Sequence, residues 1–206
     1  MRVLGVDAST INIGWAIMDC DREALIKFGA LHYDPKKPFY HRLREAPRAL
    51  FAEVDIRAYN IRTVVIEHAF FHKNAFTGKQ ISMMVGAILF AAMNHGVETV
   101  KELSPTEIKK AFAHFGKAEK SQIRQHILFE FGIDVENEDA ADAIATAQAY
   151  LTYFKSGEFE RRADIKRERA MVARRNSAKK EAAKRGKTVK GELPLCFMPT
   201  PPSGRK

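Results

Sequence analysis

Four acidic side chains stand in or beside apolar segments that must pack in a protein core. Asp7 follows the apolar run RVLGV, and Glu67 ends the β-branched run TVVIE. Asp139 and Asp142 are three positions apart in the apolar segment EDAADAIATAQAY. Partial burial of a carboxylate is costly unless a cation or strong hydrogen-bond donors meet it. The pattern therefore predicts that these carboxylates have a charged partner in the fold.

Each of these residues also has a purely structural interpretation. Asp7 could accept backbone N–H groups in the turn after its strand, and Asp139 with Asp142 could favour the dipole of a first helical turn. Together, however, the four form a set of hard oxygen ligands without a soft ligand, which is typical of Mg²⁺ or Mn²⁺ sites. Two such ions can promote in-line attack of water on a phosphodiester. Metal-assisted phosphoryl transfer without a separate general base is therefore the predicted reaction class.

The order of apolar segments predicts the elements that position these carboxylates. Runs rich in β-branched residues predict strands over residues 2–6, 13–18, 25–33, 61–67 and 97–103. Apolar residues at helical spacing predict helices over residues 39–60, 81–95, 119–131 and 139–154, with a further helix from residue 105. This order favours a mixed sheet, antiparallel in one half and parallel in the other, covered by helices on its faces.

Two segments between these elements carry local signals. Residues 70–80 lack clean periodicity and contain Asn and Gly, so they are predicted to form a loop that enters the next helix. Ser104, Pro105 and Glu107 form a capping-box pattern, which predicts that a helix begins at Pro105.

The positive charge of the chain is concentrated at its C-terminus. The net charge is +9, and residues 155–206 contain 16 Lys/Arg against 6 Asp/Glu, whereas residues 1–154 contain 18 against 19. Such a basic segment is typical of a protein with a polyanionic partner, although a solubilising tail has the same composition. We expect a folded domain over residues 1–154, a basic helical extension over 155–190, and a Pro-rich flexible tail over 191–206.

Cysteine usage and apolar runs indicate the compartment. Cys20 and Cys196 are far apart and lack a Cys or His partner at metal-ligand spacing, so neither a disulfide framework nor a zinc site is expected. The N-terminus lacks the pattern of a signal peptide, and the longest apolar run, residues 81–93, is too short to span a bilayer. The expected location is the cytoplasm, with no membrane partner.

Four segments resemble, in order, the motifs of the RuvC family of Holliday junction resolvases. They are RVLGVDASTINIGWAI, VVIEHAFFHKNAFTGKQ, LSPTEIKKAFAHFGKAEKSQI and EDAADAIATAQAY, and the resemblance covers residues 2–154. The first motif alone is shared with the wider RNase H-like superfamily. The resemblance implies an RNase H-like mixed five-stranded sheet with helices on both faces. It also implies a homodimer that makes paired nicks in opposed strands of a four-way junction.

The resemblance also assigns residues to roles. It implies that Asp7, Glu67, Asp139 and Asp142 hold Mg²⁺ or Mn²⁺, two ions per active site. It places Lys109 and Lys120 where the family has catalytic or phosphate-contacting lysines, which would add positive charge near the scissile phosphate. Phe70 matches an aromatic that wedges into the junction, and stacking on an unpaired base contributes roughly 1–3 kcal/mol. The further candidate DNA contacts are Lys73, Asn74, Lys79, Ser9 and Thr10.

The chain departs from the family at His68 and at Phe76, so no sequence preference at the cleavage point is implied. Three other interpretations stay open at this point. The first is a non-catalytic junction-binding protein, and the second is an RNase H-like nuclease that acts on RNA or on an RNA/DNA hybrid. The third, an actin-like ATPase, is disfavoured because no second glycine-rich phosphate loop is visible.

Overall fold

The computed structural model describes residues 1–67, 75–113 and 120–188. The chain divides into two compact units, residues 1–157 and residues 158–206.

The first unit is built on one mixed sheet with the strand order β3-β2-β1-β4-β5. The strands are β1 (Arg2–Ala8), β2 (Asn12–Asp19), β3 (Ala24–His32), β4 (Ile61–Glu67) and β5 (Thr99–Leu103). Strand β1 pairs antiparallel with β2 and parallel with β4, so it lies at the junction of the two halves of the sheet. The predicted combination of an antiparallel half and a parallel half is confirmed.

Six helices accompany the strands in the described part of the chain. They are α1 (Phe39–Glu53), α2 (Ala75–Asn94), α3 (Pro105–Ala113), α4 (Lys120–Phe131), α5 (Glu138–Lys155) and α6 (Glu158–Thr188). The start of α3 has the predicted capping box, because Glu107 Oε2 accepts from the backbone N–H of Ser104 at 2.7 Å and the N–H of Glu107 donates to Ser104 Oγ at 3.3 Å.

Two predicted helix boundaries were wrong. Helix α1 ends at Glu53 and not at residue 60, because the Asp55 side chain accepts from the N–H groups of Arg57 and Ala58 and closes a turn. Helix α2 begins at Ala75, so the predicted loop was wrong for residues 75–80. The first turns of α2 are largely exposed, which is why they carry no apolar periodicity.

Both faces of the sheet are covered by helices. One face, which includes Leu4, Val6 and Trp15, forms a core cluster with residues of α1 and α2. The opposite face packs against α5, whose buried positions are mostly alanine. Small side chains on α5 allow the helix to lie close to the strands that carry the acidic residues.

Helix α2 is long and apolar enough to cross a membrane by length and composition. It is the single described helix of which this is true, and one such helix is weak evidence, because core helices of water-soluble proteins meet the same criterion. The helix is also longer than the apolar run of residues 81–93 on which the sequence argument rested.

Candidate active site

The side chain of Asp7 lies on the face of β1 that packs against α5. Side chains alternate along a strand, and Leu4 and Val6 belong to the core cluster on the opposite face. Gly5, two positions before Asp7, is covered so closely by α5 that a Cβ atom there would lie 2.5 Å from the carbonyl oxygen of Ala143. Asp7 therefore follows Gly5 on the α5 side, at the carboxyl end of the central strand.

Gly14 of β2 allows the beginning of α5 to lie very close to the sheet beside Asp7. Asp7 and Gly14 are opposite each other in the β1–β2 ladder. A Cβ atom at Gly14 would lie 1.8 Å from the carbonyl oxygen of Asp139. Only a glycine permits this approach, because the colliding atoms belong to the helix backbone. The backbone of Asp139 is thus held next to the end of β1.

Glu67 and Asp142 line one cleft at the same end of the sheet. Val6 of β1 pairs with Ile66 of β4 in the parallel ladder, so Asp7 and Glu67 follow at neighbouring strand ends. The cleft has a volume of about 200 Å³, and its lining includes Glu67, Asp142 and Lys109. The structure therefore brings two carboxylates and one lysine to a shared concave surface.

The electrostatics of this cleft favour a cation. Burial raises the pKa of Glu67 above its ordinary value, the neighbouring Asp142 raises that pKa further, and Lys109 lowers it. Within the described ranges, no group of three or more acidic, histidine or cysteine side chains is arranged to hold a metal ion. The donor chemistry nevertheless fits a hard divalent cation, because two carboxylates in a partly buried cleft repel each other until positive charge is added.

The N-cap of α5 is Asn137, whose side chain accepts from the N–H of Ala140 at 3.0 Å. Asn137, and not Asp139, is therefore the N-cap residue of α5. Glu138 and Asp139 remain in the first turn, where negative charge interacts favourably with the helix dipole.

Ser9 organises the turn that follows Asp7. Its hydroxyl accepts from the N–H groups of Ile11 at 3.2 Å and Asn12 at 2.8 Å, and it donates to the carbonyl oxygen of Asn12 at 3.0 Å. A hydroxyl offers one donor and two acceptor sites, so all three are used within the turn. The contact of Ser9 with DNA stays a prediction, and the geometry assigns this side chain to the shape of the turn.

Arg42 holds the same turn from the side of α1. Its side chain is buried with 7% exposure. Its Nε donates to the carbonyl oxygen of Thr10 at 2.9 Å, and its Nη1 donates to carbonyl oxygens of the loop 34–37. Sequence reasoning missed this residue, because an arginine in an amphipathic helix looks like a surface residue until its tertiary partners are known.

Of the other predicted site residues, some lie within the described part of the chain and some lie outside it. Lys109 lines the cleft, and Lys79 is exposed on α2. Lys120 begins α4, but its side chain lies outside the described residues. The segment 68–74, with the candidate contacts Phe70, Lys73 and Asn74 and the departure at His68, also lies outside them.

Glu67→Gln is expected to stabilise the metal-free protein at neutral pH. The folded protein holds a proton on Glu67 to a higher pH than the unfolded chain, whose pKa is near the ordinary value of 4.5. The free energy of unfolding of the wild type therefore falls as the pH rises from that value through the raised pKa, and glutamine removes this loss. The Tm advantage of the variant should be near zero below about pH 4 and should increase as the pH rises towards about pH 8.

The measurement is thermal unfolding in EDTA across this pH range. Glu130→Gln, which neutralises an exposed carboxylate of α4, serves as the matched control and should gain no comparable advantage. An equal gain in both variants, or no gain in Glu67→Gln, would contradict the electrostatic description of the cleft.

Comparisons with known proteins find relatives of the first unit. The family model described as "Crossover junction endodeoxyribonuclease RuvC" matches residues 3–150. A crossover junction endodeoxyribonuclease RuvC from Caldanaerobacter subterraneus subsp. tengcongensis is 32% identical over 151 residues, which cover 71% of this chain and 90% of that protein. Residues 3–150 include all four predicted metal ligands.

Two solved structures share the fold. The Thermus thermophilus RuvC structure matches with a TM-score of 0.66 and 22% identity, over 76% of this chain and 97% of that one. T. thermophilus RuvC in complex with a Holliday junction substrate matches with a TM-score of 0.66 and 21% identity, over 76% and 96% of the two chains. The RNase H-like fold expected from the resemblance is confirmed for the first unit.

Proposed function

Because this chain belongs to the RuvC family of crossover junction endodeoxyribonucleases, we propose that it resolves Holliday junctions by paired nicks in opposed strands. The observation that supports this proposal is that the carboxyl ends of β1 and β4 lie close to the beginning of α5. One cleft there is lined by Glu67, Asp142 and Lys109. The backbone of Asp139 lies against Gly14, which pairs with Asp7 in the sheet. The T. thermophilus RuvC complex with a Holliday junction substrate supports a branched DNA substrate.

Proteins of the RuvC family are metal-dependent nucleases. We propose Mg²⁺ or Mn²⁺ for this chain, two ions per site, because the candidate ligands are all carboxylates. When bound, such ions supply the positive charge and the activated water that phosphodiester hydrolysis requires. The residues that would hold them are Asp7, Glu67, Asp139 and Asp142.

The chain itself contributes charge and position. Lys109, which shares the cleft with Glu67, would stabilise negative charge that gathers on the phosphate in the transition state. Without a cation the carboxylates repel the DNA backbone, so binding of metal and approach of the scissile phosphate are coupled. Additional DNA contacts are proposed for Lys120, Phe70, Lys73, Asn74, Lys79, Ser9 and Thr10.

The proposal is tested with purified full-length protein and three labelled substrates. These are an immobile four-way junction, a linear duplex and an RNA/DNA hybrid, each incubated with Mg²⁺, with Mn²⁺ or with EDTA. The expected result is cleavage of the junction in opposed strands, only when metal is present. Preferential cleavage of the hybrid would favour the RNA-directed alternative, and tight junction binding without cleavage in either metal would favour a non-catalytic protein.

Paired nicks need two active sites, so we propose that a second copy of this chain packs on the outer face of α2. The inner face buries Met84, Ile88 and Ala92. The outer face leaves Phe90 65% exposed and Met93 52% exposed. An identical helix would cover this apolar surface in a two-fold symmetric contact.

Phe90→Glu is expected to weaken the dimer by at least about tenfold in its dissociation constant, because it places a charge in an apolar contact. The measurement is sedimentation equilibrium, together with the fraction of junctions cut in both strands. Phe129→Glu is the matched control, because Phe129 is 86% exposed on α4 and lies outside the proposed interface. Equal dissociation of both variants, or an unchanged dimer for Phe90→Glu, would place the interface elsewhere.

A further inference from the structure

Helix α6 extends beyond the part of the chain that the family explains. The family match ends at residue 150, whereas α6 runs over Glu158–Thr188. The helix is therefore a feature of this chain whose role has to be inferred from its own residues.

The proximal part of α6, residues 158–168, is electrically balanced. It contains four Lys/Arg and four Asp/Glu. Two of these basic residues are in ion pairs with acids one turn earlier on the same helix, Arg161 with Glu158 at 3.4 Å and Arg167 with Asp164 at 3.4 Å. The formal charges of this part therefore sum to zero.

The distal part of α6, residues 169–188, has a strong excess of positive charge. It contains eight Lys/Arg and a single acid, Glu181. Adjacent basic pairs recur at 174–175, 179–180 and 184–185. A spacing of five residues advances each pair by roughly 140° around a helix of about 3.6 residues per turn. The basic positions therefore wind around the helix axis and do not form a single stripe.

Helix α6 has no large apolar residue after Val172. Ile165, Met171 and Val172 are 49%, 66% and 52% exposed. A helix that lies on a lipid surface needs a continuous apolar face, which α6 lacks. A helix with basic positions on all sides instead fits the groove of a nucleic acid duplex, where phosphates lie on both sides of it.

We propose that residues 169–188 form a sequence-independent binding arm for duplex DNA. This inference rests on the proposed function for its substrate, the duplex arms of branched DNA. The basic side chains neutralise phosphates and release condensed counterions, which gives affinity without base recognition. The segment is about 30 Å long as a helix, close to one turn of duplex DNA.

The test compares two variants that each lose four positive charges. The distal variant carries Arg174→Gln, Arg175→Gln, Lys179→Gln and Lys180→Gln. The proximal variant carries Arg161→Gln, Arg162→Gln, Lys166→Gln and Arg167→Gln. Glutamine has a high helix propensity, and circular dichroism confirms that both variants keep their helix content. Binding to a linear duplex and to an immobile junction is measured in EDTA over a series of salt concentrations.

The distal variant is expected to lower the slope of log affinity against log salt by up to about 3.6, and the proximal variant by less than half of that. Equal effects of the two variants, or an unchanged slope for the distal variant, would overturn the proposal. Stronger binding of the wild type to anionic phosphatidylglycerol vesicles than to duplex at the same salt would also overturn it.

The outcome is separable from that of the proposed function. If the proposal of a binding arm is wrong and the proposed function is right, the wild type and both variants cut junctions equally well at low salt in the presence of metal. If the proposed function is wrong and the proposal of a binding arm is right, the wild type cuts no junction, but the distal variant still loses affinity for duplex DNA.

Discussion

Asp7→Asn is expected to abolish junction cleavage while leaving junction binding intact. The substitution removes the charge of one of the four proposed metal ligands with little change of shape, at the carboxyl end of the central strand. We expect the cleavage rate to fall by at least about a thousandfold, which corresponds to about 4 kcal/mol of transition-state free energy. The measurement is single-turnover cleavage of a labelled four-way junction in Mg²⁺ and in Mn²⁺, with binding followed by gel shift in EDTA.

The control for this experiment is Asp21→Asn. Asp21 lies in the β2–β3 turn, at the opposite end of the sheet from Asp7, because Arg2 at the start of β1 pairs with Asp19. This variant should cleave at the wild-type rate. Substantial cleavage by a folded Asp7→Asn protein would count against the metal assignment as a whole.

Gly14→Ala is expected to destabilise the domain and to reduce cleavage per folded molecule. The added methyl group would lie 1.8 Å from the carbonyl oxygen and 2.4 Å from the carbonyl carbon of Asp139. A backbone cannot rotate away as a side chain can, so the beginning of α5 must shift. Overpacking of this kind costs roughly 1–3 kcal/mol or more. The shift displaces Asp139 and Asp142, which is why activity should fall along with stability.

Gly29→Ala separates these two effects. A Cβ atom at Gly29 would lie 2.8 Å from the ring of Trp15, a side chain on the other face of the sheet from Asp7. This variant should lose stability but keep its cleavage rate per folded molecule, with folded fractions taken from thermal unfolding. A Gly14→Ala protein that keeps the wild-type Tm and rate would show that α5 does not lie as close to β2 as described.

The bounds of a helix or strand can be predicted from the sequence where neighbouring residues determine them. Residues 61–67 form a strand with the predicted bounds, because a compact β-branched run is buried on both faces. The capping box of Ser104 and Glu107 fixed the start of α3. The boundaries of α1 and α2 were missed for opposite reasons. Apolar spacing continues past the end of α1, because Val54 and Ile56 are buried after the helix has ended. The exposed first turns of α2 give no periodic signal.

The candidate site was predictable only in part. Acidic residues in apolar runs stand out in a sequence, because their burial needs an explanation. Gly14, Arg42 and Asn137 do not stand out in this way. The role of Gly14 depends on the close approach of α5 to β2. The role of Arg42 depends on carbonyl oxygens of distant loops, and that of Asn137 depends on where α5 begins. Such roles become visible only when the tertiary contacts are known.

The position of α5 has a consequence for how the protein is made. The two strands that carry Asp7 and Glu67 emerge from the ribosome long before Asp139 and Asp142, which stand on the last element of the first unit. A chain interrupted before that helix possesses half of the acidic set and leaves one face of its sheet uncovered. If the four carboxylates act together as proposed, nascent or truncated products should be unable to cut DNA until translation of the domain is complete.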